Sequence, residues 1–184
     1  KATSAPGIDG FTVAWVRKFW PDLVDLCYQS INNCYERGQL TTMLKTAIMK
    51  LLRKGEKSKL EATNYRPISL LSVFYKIASG AITRRLETVI EKVIGRQQKA
   101  YSRKKNITSV LLNTISMIQS ARTNKRSSLI IAVDFKKAFD SLNHSFIDSC
   151  LQTLNFGPSF RNWVKLFLND RATYLLMNGF MEER

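Results

Sequence analysis

Five apolar residues, Leu129-Ile130-Ile131-Ala132-Val133, run straight into Asp134, and no other stretch constrains the chain as much. An uninterrupted, β-rich apolar run of this length predicts a strand buried on both faces. A carboxylate placed where such a strand leaves the core is held rigidly, which suits a hard cation that needs oxygen ligands. The same acid can simply open a turn, and spacing by itself favours that plainer reading.

The 184 residues, 45% of them hydrophobic, are enough to bury a real core in one domain or slightly more. Lys+Arg 29 against Asp+Glu 14 leaves a net charge of +15 and a pI near 10.0. Such an excess favours a polyanionic partner, of which nucleic acid is the commonest. No apolar run approaches the ~20 residues needed to span a bilayer, and no charged-then-apolar leader opens the chain. Cys27, Cys34 and Cys150 are odd in number and lack metal-ligand spacing, so they read as reduced core thiols of an intracellular protein in the nucleus or cytoplasm.

The cations are unevenly spread. Between Glu91 and Asp134 there is no acid, while Lys92, Arg96, Lys99, Arg103, Lys104, Lys105, Arg122, Lys125 and Arg126 all fall there. A solvated helix face normally mixes signs, so a one-sign stretch of this length points to phosphate contact.

Along the chain, Pro6, Gly7 and Gly10 mark an irregular entry, and Phe11, Trp15, Phe19 and Trp20 follow at helical spacing. Rings like these can stack on bases, but at this spacing core packing is the expectation. Pro21 opens a second helix whose stripe of Leu23, Leu26, Cys27, Ile31, Cys34 and Tyr35 ends at Gly38. Ala47–Leu52 predicts a strand, Arg53–Lys57 a basic hairpin tip, and Tyr65–Ile68 a second strand. Ser72 is the expected N-cap of a long amphipathic helix reaching Val93 and closed by Gly95. Thr108 is the expected cap of the next helix, with Val110, Leu111, Thr114, Ile115 and Ile118 as its buried face. Two further helices follow, through Phe146–Leu154 and from Pro158 to Phe167, then a strand at Ala172–Met177 and a turn at Asn178-Gly179. His144, the sole histidine, stands where a helix begins and is given a structural role.

Three segments, in order, resemble motifs of reverse transcriptases of the non-LTR retrotransposon type. Val133-Asp134-Phe135-Lys136-Lys137-Ala138-Phe139-Asp140 resembles the family's first palm motif: Asp, three variable residues, Ala, an aromatic, Asp. Asn64–Ile77, which contains Tyr65-Arg66-Pro67-Ile68-Ser69-Leu70, resembles its fingers motif, and Ala5–Phe11 its opening motif. The resemblance implies an RNA-directed DNA polymerase that binds an RNA template, a DNA primer and deoxynucleoside triphosphates. It implies two Mg²⁺ ions, with Mn²⁺ as the alternative, held in part by Asp134 and by the Phe135 backbone carbonyl. Arg53, Lys54 and Arg66 would meet the triphosphate, Arg66 as a planar fork for two oxygens. Backbone N–H groups of Lys137 and Ala138 would meet it too, and Phe139 would lie beneath the sugar. Asp140 would anchor the turn. Gln98–Arg103 resembles a segment that lies near the template, which makes Lys99, Arg103, Lys104 and Lys105 the expected nucleic-acid contacts. Where Leu52 stands, the family usually shows Pro.

The fold implied is α+β: right-hand polymerase fingers over 1–127 and the first part of a palm over 128–184. It comprises amphipathic helices, a small antiparallel hairpin and a central palm strand ending at Asp134. The family's Gln-Gly-x-Pro-x-Ser and Tyr-x-Asp-Asp motifs are not among these residues. One carboxylate cannot organise two ions, so residues 1–184 alone are expected not to polymerise. The alternatives are a non-catalytic, basic nucleic-acid-binding relic of such a polymerase and a partner-binding helical module, which fits the charge poorly. Nothing in the residues sets an oligomeric state.

Overall fold

Most element ends follow from local chemistry. Helix α1 (Val13–Lys18) starts at Thr12, whose hydroxyl accepts the Trp15 N–H. Helix α2 (Trp20–Arg37) carries Pro in its first turn, where a missing N–H costs nothing, and stops at Gly38 with φ +66. The computed structural model describes residues 4–95, 97–99, 106–135, 137–177 and 179–183. Next come the short helix α3 (Thr42–Lys45), strands β1 (Thr46–Arg53) and β2 (Tyr65–Leu71), and helices α4 (Val73–Val93) and α5 (Ile107–Thr123). Helices α6 (His144–Thr153) and α7 (Pro158–Leu168) and strands β3 (Ala172–Met177) and β4 (Phe180–Glu183) complete the order.

The α+β class expected from the sequence is the class observed. The strands form one four-stranded sheet in the order β2-β1-β3-β4. The β1–β2 hairpin is antiparallel, with Arg53 opposite Tyr65 and Leu52 opposite Arg66. Strand β3 joins it parallel to β1, from Thr46 opposite Ala172 to Lys50 opposite Leu176. The small hairpin predicted from sequence is therefore half of a larger mixed sheet. Gly179, at φ +87, turns β3 back into β4.

The chain divides into two units, Lys1–Thr83 with Asp148–Arg184, and Arg84–Ile147. The first holds the core: Cys34, Leu40, Leu44, Leu166 and Phe167 are buried together, with Ile31, Tyr35, Phe74, Tyr75, Ala78, Ile82 and Trp163 packed on them. Tyr35 stacks on Trp163 at 4.4 Å between ring centres, and Tyr75 meets Phe167 edge-on at 5.3 Å. Phe11 stacks on Trp15 at 4.5 Å and meets the edge of Phe74, but both Phe11 and Trp15 are exposed, so these rings pack on one another at the surface rather than in the expected core. Cys27, Cys34 and Cys150 are free thiols, but only Cys34 is in the core; Cys27 and Cys150 are half-buried.

The second unit departs from expectation in three places. Residues 129–133 lie in no strand, and Leu129, Ile131 and Val133 are 82%, 74% and 80% exposed. A strand needs ladder partners for its backbone N–H and C=O groups, and no described strand pairs with this run. The predicted apolar face of α5 is not buried either, with Val110, Leu111 and Ile115 all exposed. Its N-cap is Asn106, whose side chain accepts the Thr108 N–H at 2.9 Å; Thr108 is inside the helix. A capping oxygen two residues ahead of that N–H has the better geometry.

Candidate functional site

The β1–β2 hairpin carries three of the expected nucleotide contacts. Side chains alternate along a strand and directly opposed residues share a face. Arg66, opposite Leu52, therefore lies on the face away from Arg53, which stands opposite Tyr65. Arg53 and Arg66 are both exposed. Pro67 keeps Arg66 in extended geometry. Lys54 is half-buried, and its ammonium donates to the Thr63 carbonyl at 2.7 Å while its N–H donates to the Asn64 carbonyl at 2.8 Å. Lys54 thus closes the hairpin loop on itself, a role its charge did not announce.

Asp134, Phe135, Lys137, Ala138, Phe139 and Asp140 are all exposed, and Lys136 lies outside the described residues. Phe135 and Phe139 are 78% and 73% exposed. Lys137 takes φ +52, the left-handed region that a side chain disfavours. The turn that follows is closed by Ser141, whose N–H and hydroxyl both donate to the Lys137 carbonyl, at 3.1 and 3.0 Å. Asn143 accepts the Ser145 N–H at 2.9 Å, next to His144 at the first position of α6.

Among the expected nucleic-acid contacts, Lys99 is half-buried, and Arg103, Lys104 and Lys105 lie outside the described residues. Lys92, Arg122, Lys125 and Arg126, from the same acid-free stretch, are exposed. No group of three His, Cys, Asp or Glu able to hold a metal ion occurs among the described residues. With Asp134 as a single carboxylate, those residues do not by themselves fit a pair of divalent ions. No described helix is long and apolar enough to cross a membrane.

Sequence reasoning missed three polar contacts. Asp9, in the opening motif, accepts the Ser72 hydroxyl at 2.5 Å, and Ser72 in turn accepts the Phe74 N–H at 3.2 Å as the N-cap of α4. Gly7 of the same motif is pressed against this junction: a Cβ there would meet the Ser72 nitrogen at 2.5 Å and the Leu71 carbonyl carbon at 2.7 Å. The opening motif is thus a clasp on the turn from β2 into α4.

Asp148 binds Arg161 through two bonds of 2.8 and 2.7 Å and Lys165 at 3.0 Å. The hydrogen bonds from Arg161 and then Lys165 hold its carboxyl far below the ordinary carboxylate range, and Asp148 holds the Arg161 guanidinium up. Asp170 accepts Lys45 at 2.6 Å and Gln39 at 3.1 Å, and those bonds, Lys45 first, lower its pKa. This contact sits just ahead of the first parallel pair, Thr46 with Ala172. The i, i+4 spacing of Arg161 and Lys165 puts two cations on one helix face, the only hint the sequence offered.

A family profile described as "Reverse transcriptase (RNA-dependent DNA polymerase)" matches residues 52–183. The chain is 31% identical over 162 residues to the "Transposon TX1 uncharacterized 149 kDa protein" of Xenopus laevis, covering 88% of this chain and 12% of that protein. It is 29% identical over 172 residues to the "Retrovirus-related Pol polyprotein from type-1 retrotransposable element R2" of Popillia japonica, covering 92% of this chain and 23% of the relative. It is 25% identical over 183 residues to the "Putative 115 kDa protein in type-1 retrotransposable element R1DM" of Drosophila melanogaster, covering 99% and 18%. The chain therefore spans less than a quarter of the length of each of these relatives.

Proposed function

This chain belongs to the reverse transcriptase (RNA-dependent DNA polymerase) family, of the non-LTR retrotransposon type, and we propose that it serves as the fingers (1–127) and first palm part (128–184) of a polymerase that copies retrotransposon RNA into DNA inside the cell. The observation that carries this is the family match over 52–183, which takes in both Arg66 and Asp134. Its partners are an RNA template, a DNA primer and deoxynucleoside triphosphates.

Each role belongs to a named group. Arg66 presents a planar fork to two triphosphate oxygens, and Arg53 and Lys54 add positive charge at the hairpin's end. The left-handed Lys137 supports a backbone contact, because a turn with one such residue aims successive N–H groups into an anion-binding concavity. Ala138 is small enough to let the nucleotide approach, and Phe139 beneath the sugar leaves no room for a 2′-hydroxyl. Lys99, Arg103, Lys104 and Lys105 hold phosphates of the nucleic acid. Divalent ions, two Mg²⁺ or Mn²⁺, supply the phosphoryl-transfer chemistry of such polymerases. Asp134 and the Phe135 carbonyl would hold them in part.

The test is template-directed primer extension by the full-length polymerase. Asp134→Ala is expected to lower the rate about 10³-fold, since charge stabilisation at a metal centre is worth several kcal/mol. Asp25→Ala, on the exposed side of α2, is expected to leave it unchanged. Undiminished extension by Asp134→Ala sinks the assignment.

A further inference from the structure

Helix α5 closes on two backbone bonds. The Lys125 N–H donates to the Arg122 carbonyl at 3.1 Å, and the Arg126 N–H donates to the Ala121 carbonyl at 2.9 Å. Lys125 takes φ +50 in this closure, the left-handed turn on which many helices end. From Ser127 on, the chain leaves the helix; the described residues 127–135 lie in no helix or strand, and all are exposed. Ser128 therefore stands in open chain, with Arg126 two residues ahead of it and Lys125 three ahead. Leu129, directly after it, is 82% exposed. No acid in the sequence between Glu91 and Asp134 offsets these cations.

We propose that Ser128 is a phosphorylation site for a basic-directed serine/threonine kinase, and that its phosphate releases this loop from nucleic acid. The release half of the proposal rests on the polymerase reading above. Kinases of this class pair carboxylates of their peptide groove with cations two and three residues before the acceptor, and lay the next residue on an apolar surface. They take the peptide extended. Lys125 favours that change, because a side chain disfavours the left-handed region it leaves. Thr88, by contrast, follows Arg84 and Arg85 but lies inside α4, where its hydroxyl donates to the Arg85 carbonyl at 2.7 Å. In the step itself the Ser128 oxygen bonds to the γ-phosphorus of ATP and the bond from that phosphorus to the β–γ bridging oxygen breaks. ADP leaves, and the hydroxyl proton passes to the kinase's catalytic carboxylate. The product adds about two negative charges beside Lys125 and Arg126, which then pair with it instead of with nucleic-acid phosphates.

The experiment treats the full-length polymerase with the catalytic subunit of a basic-directed kinase and Mg-ATP, and locates the phosphate by mass spectrometry. Wild type is expected to carry it on Ser128 and Ser128→Ala to lack it. Changing Lys125 and Arg126 together to Ala should slow incorporation at least tenfold. Single-stranded RNA binding is then followed by fluorescence anisotropy against salt. Phosphorylated wild type should show a log–log slope shallower by about 1.4, two phosphate contacts at about 0.7 each, while kinase-treated Ser128→Ala matches untreated wild type. No phosphate on Ser128, a phosphate on Ser127 in its place, or equal incorporation after loss of both cations overturns the site. An unchanged slope in the fully phosphorylated protein overturns the release. Untreated enzyme that extends no primer overturns the polymerase reading instead, and incorporation and RNA binding still judge this proposal.

Discussion

Two apolar runs of similar length meet opposite fates in this chain. Ala47–Leu52 lies within β1, is paired with β2 throughout and with β3 as far as Lys50, and is buried at Ala47. Leu129–Val133 lies in no strand and is exposed throughout. More broadly, the buried side chains among the described residues all belong to Lys1–Thr83 with Asp148–Arg184, and Arg84–Ile147 has none. Apolar composition marks a segment as able to be a strand; ladder partners decide whether it is one. The two carboxyls whose pKa is lowered, Asp148 and Asp170, both belong to the first unit as well.

The contrast is most sharply broken by truncating one residue on each side. Phe167→Ala, in the core beside Tyr75 and Trp163, is expected to cost about 3–5 kcal/mol. Ile131→Ala, 74% exposed, should stay within about 0.5 kcal/mol of wild type. Urea denaturation followed by far-ultraviolet circular dichroism measures this, because helices of both units contribute to that signal, whereas Trp15, Trp20 and Trp163 all lie in the first unit. Comparable destabilisation by the two changes would abolish the distinction.

A second comparison asks whether the less buried unit does its work through charge. Changing Arg103, Lys104 and Lys105 together to Ala should flatten the log–log salt dependence of single-stranded RNA binding by about 2, at about 0.7 for each phosphate that is no longer neutralised. An unaltered slope removes these three from the interface.

The smallest effect concerns acid. The Asp148 carboxyl titrates below its ordinary value when folded, so as pH falls the unfolded chain takes up the proton first. Its contribution is present above the ordinary carboxylate pKa of about 4 and is lost as pH falls through the folded value. Asp148→Asn should therefore flatten the acid limb of the stability curve below about pH 4 and leave its shape near pH 7 alone. An acid limb identical to wild type would show that the bonds from Arg161 and Lys165 do not couple folding to protonation.

The sequence by itself determined the punctuation and the motifs. Pro21, Gly38, Pro158 and Gly179 set element ends through the φ values and N–H groups of single residues, and those ends stand where the residues put them. The motif segments around Arg66 and Asp134 were legible because their spacing is a property of the linear chain, and the family match spans both. Tertiary structure alone decided the rest. The parallel pairing of Thr46 with Ala172 joins residues far apart in sequence, and no local preference encodes it. The Asp9–Ser72 clasp, the Asp148–Arg161 pair and the exposure of Leu129–Val133 depend on what comes within a few ångströms once the chain has turned back on itself. Caps and turns are chosen by a residue and its next three or four neighbours, whereas ladders, ion pairs and burial are chosen by partners that only the folded chain supplies.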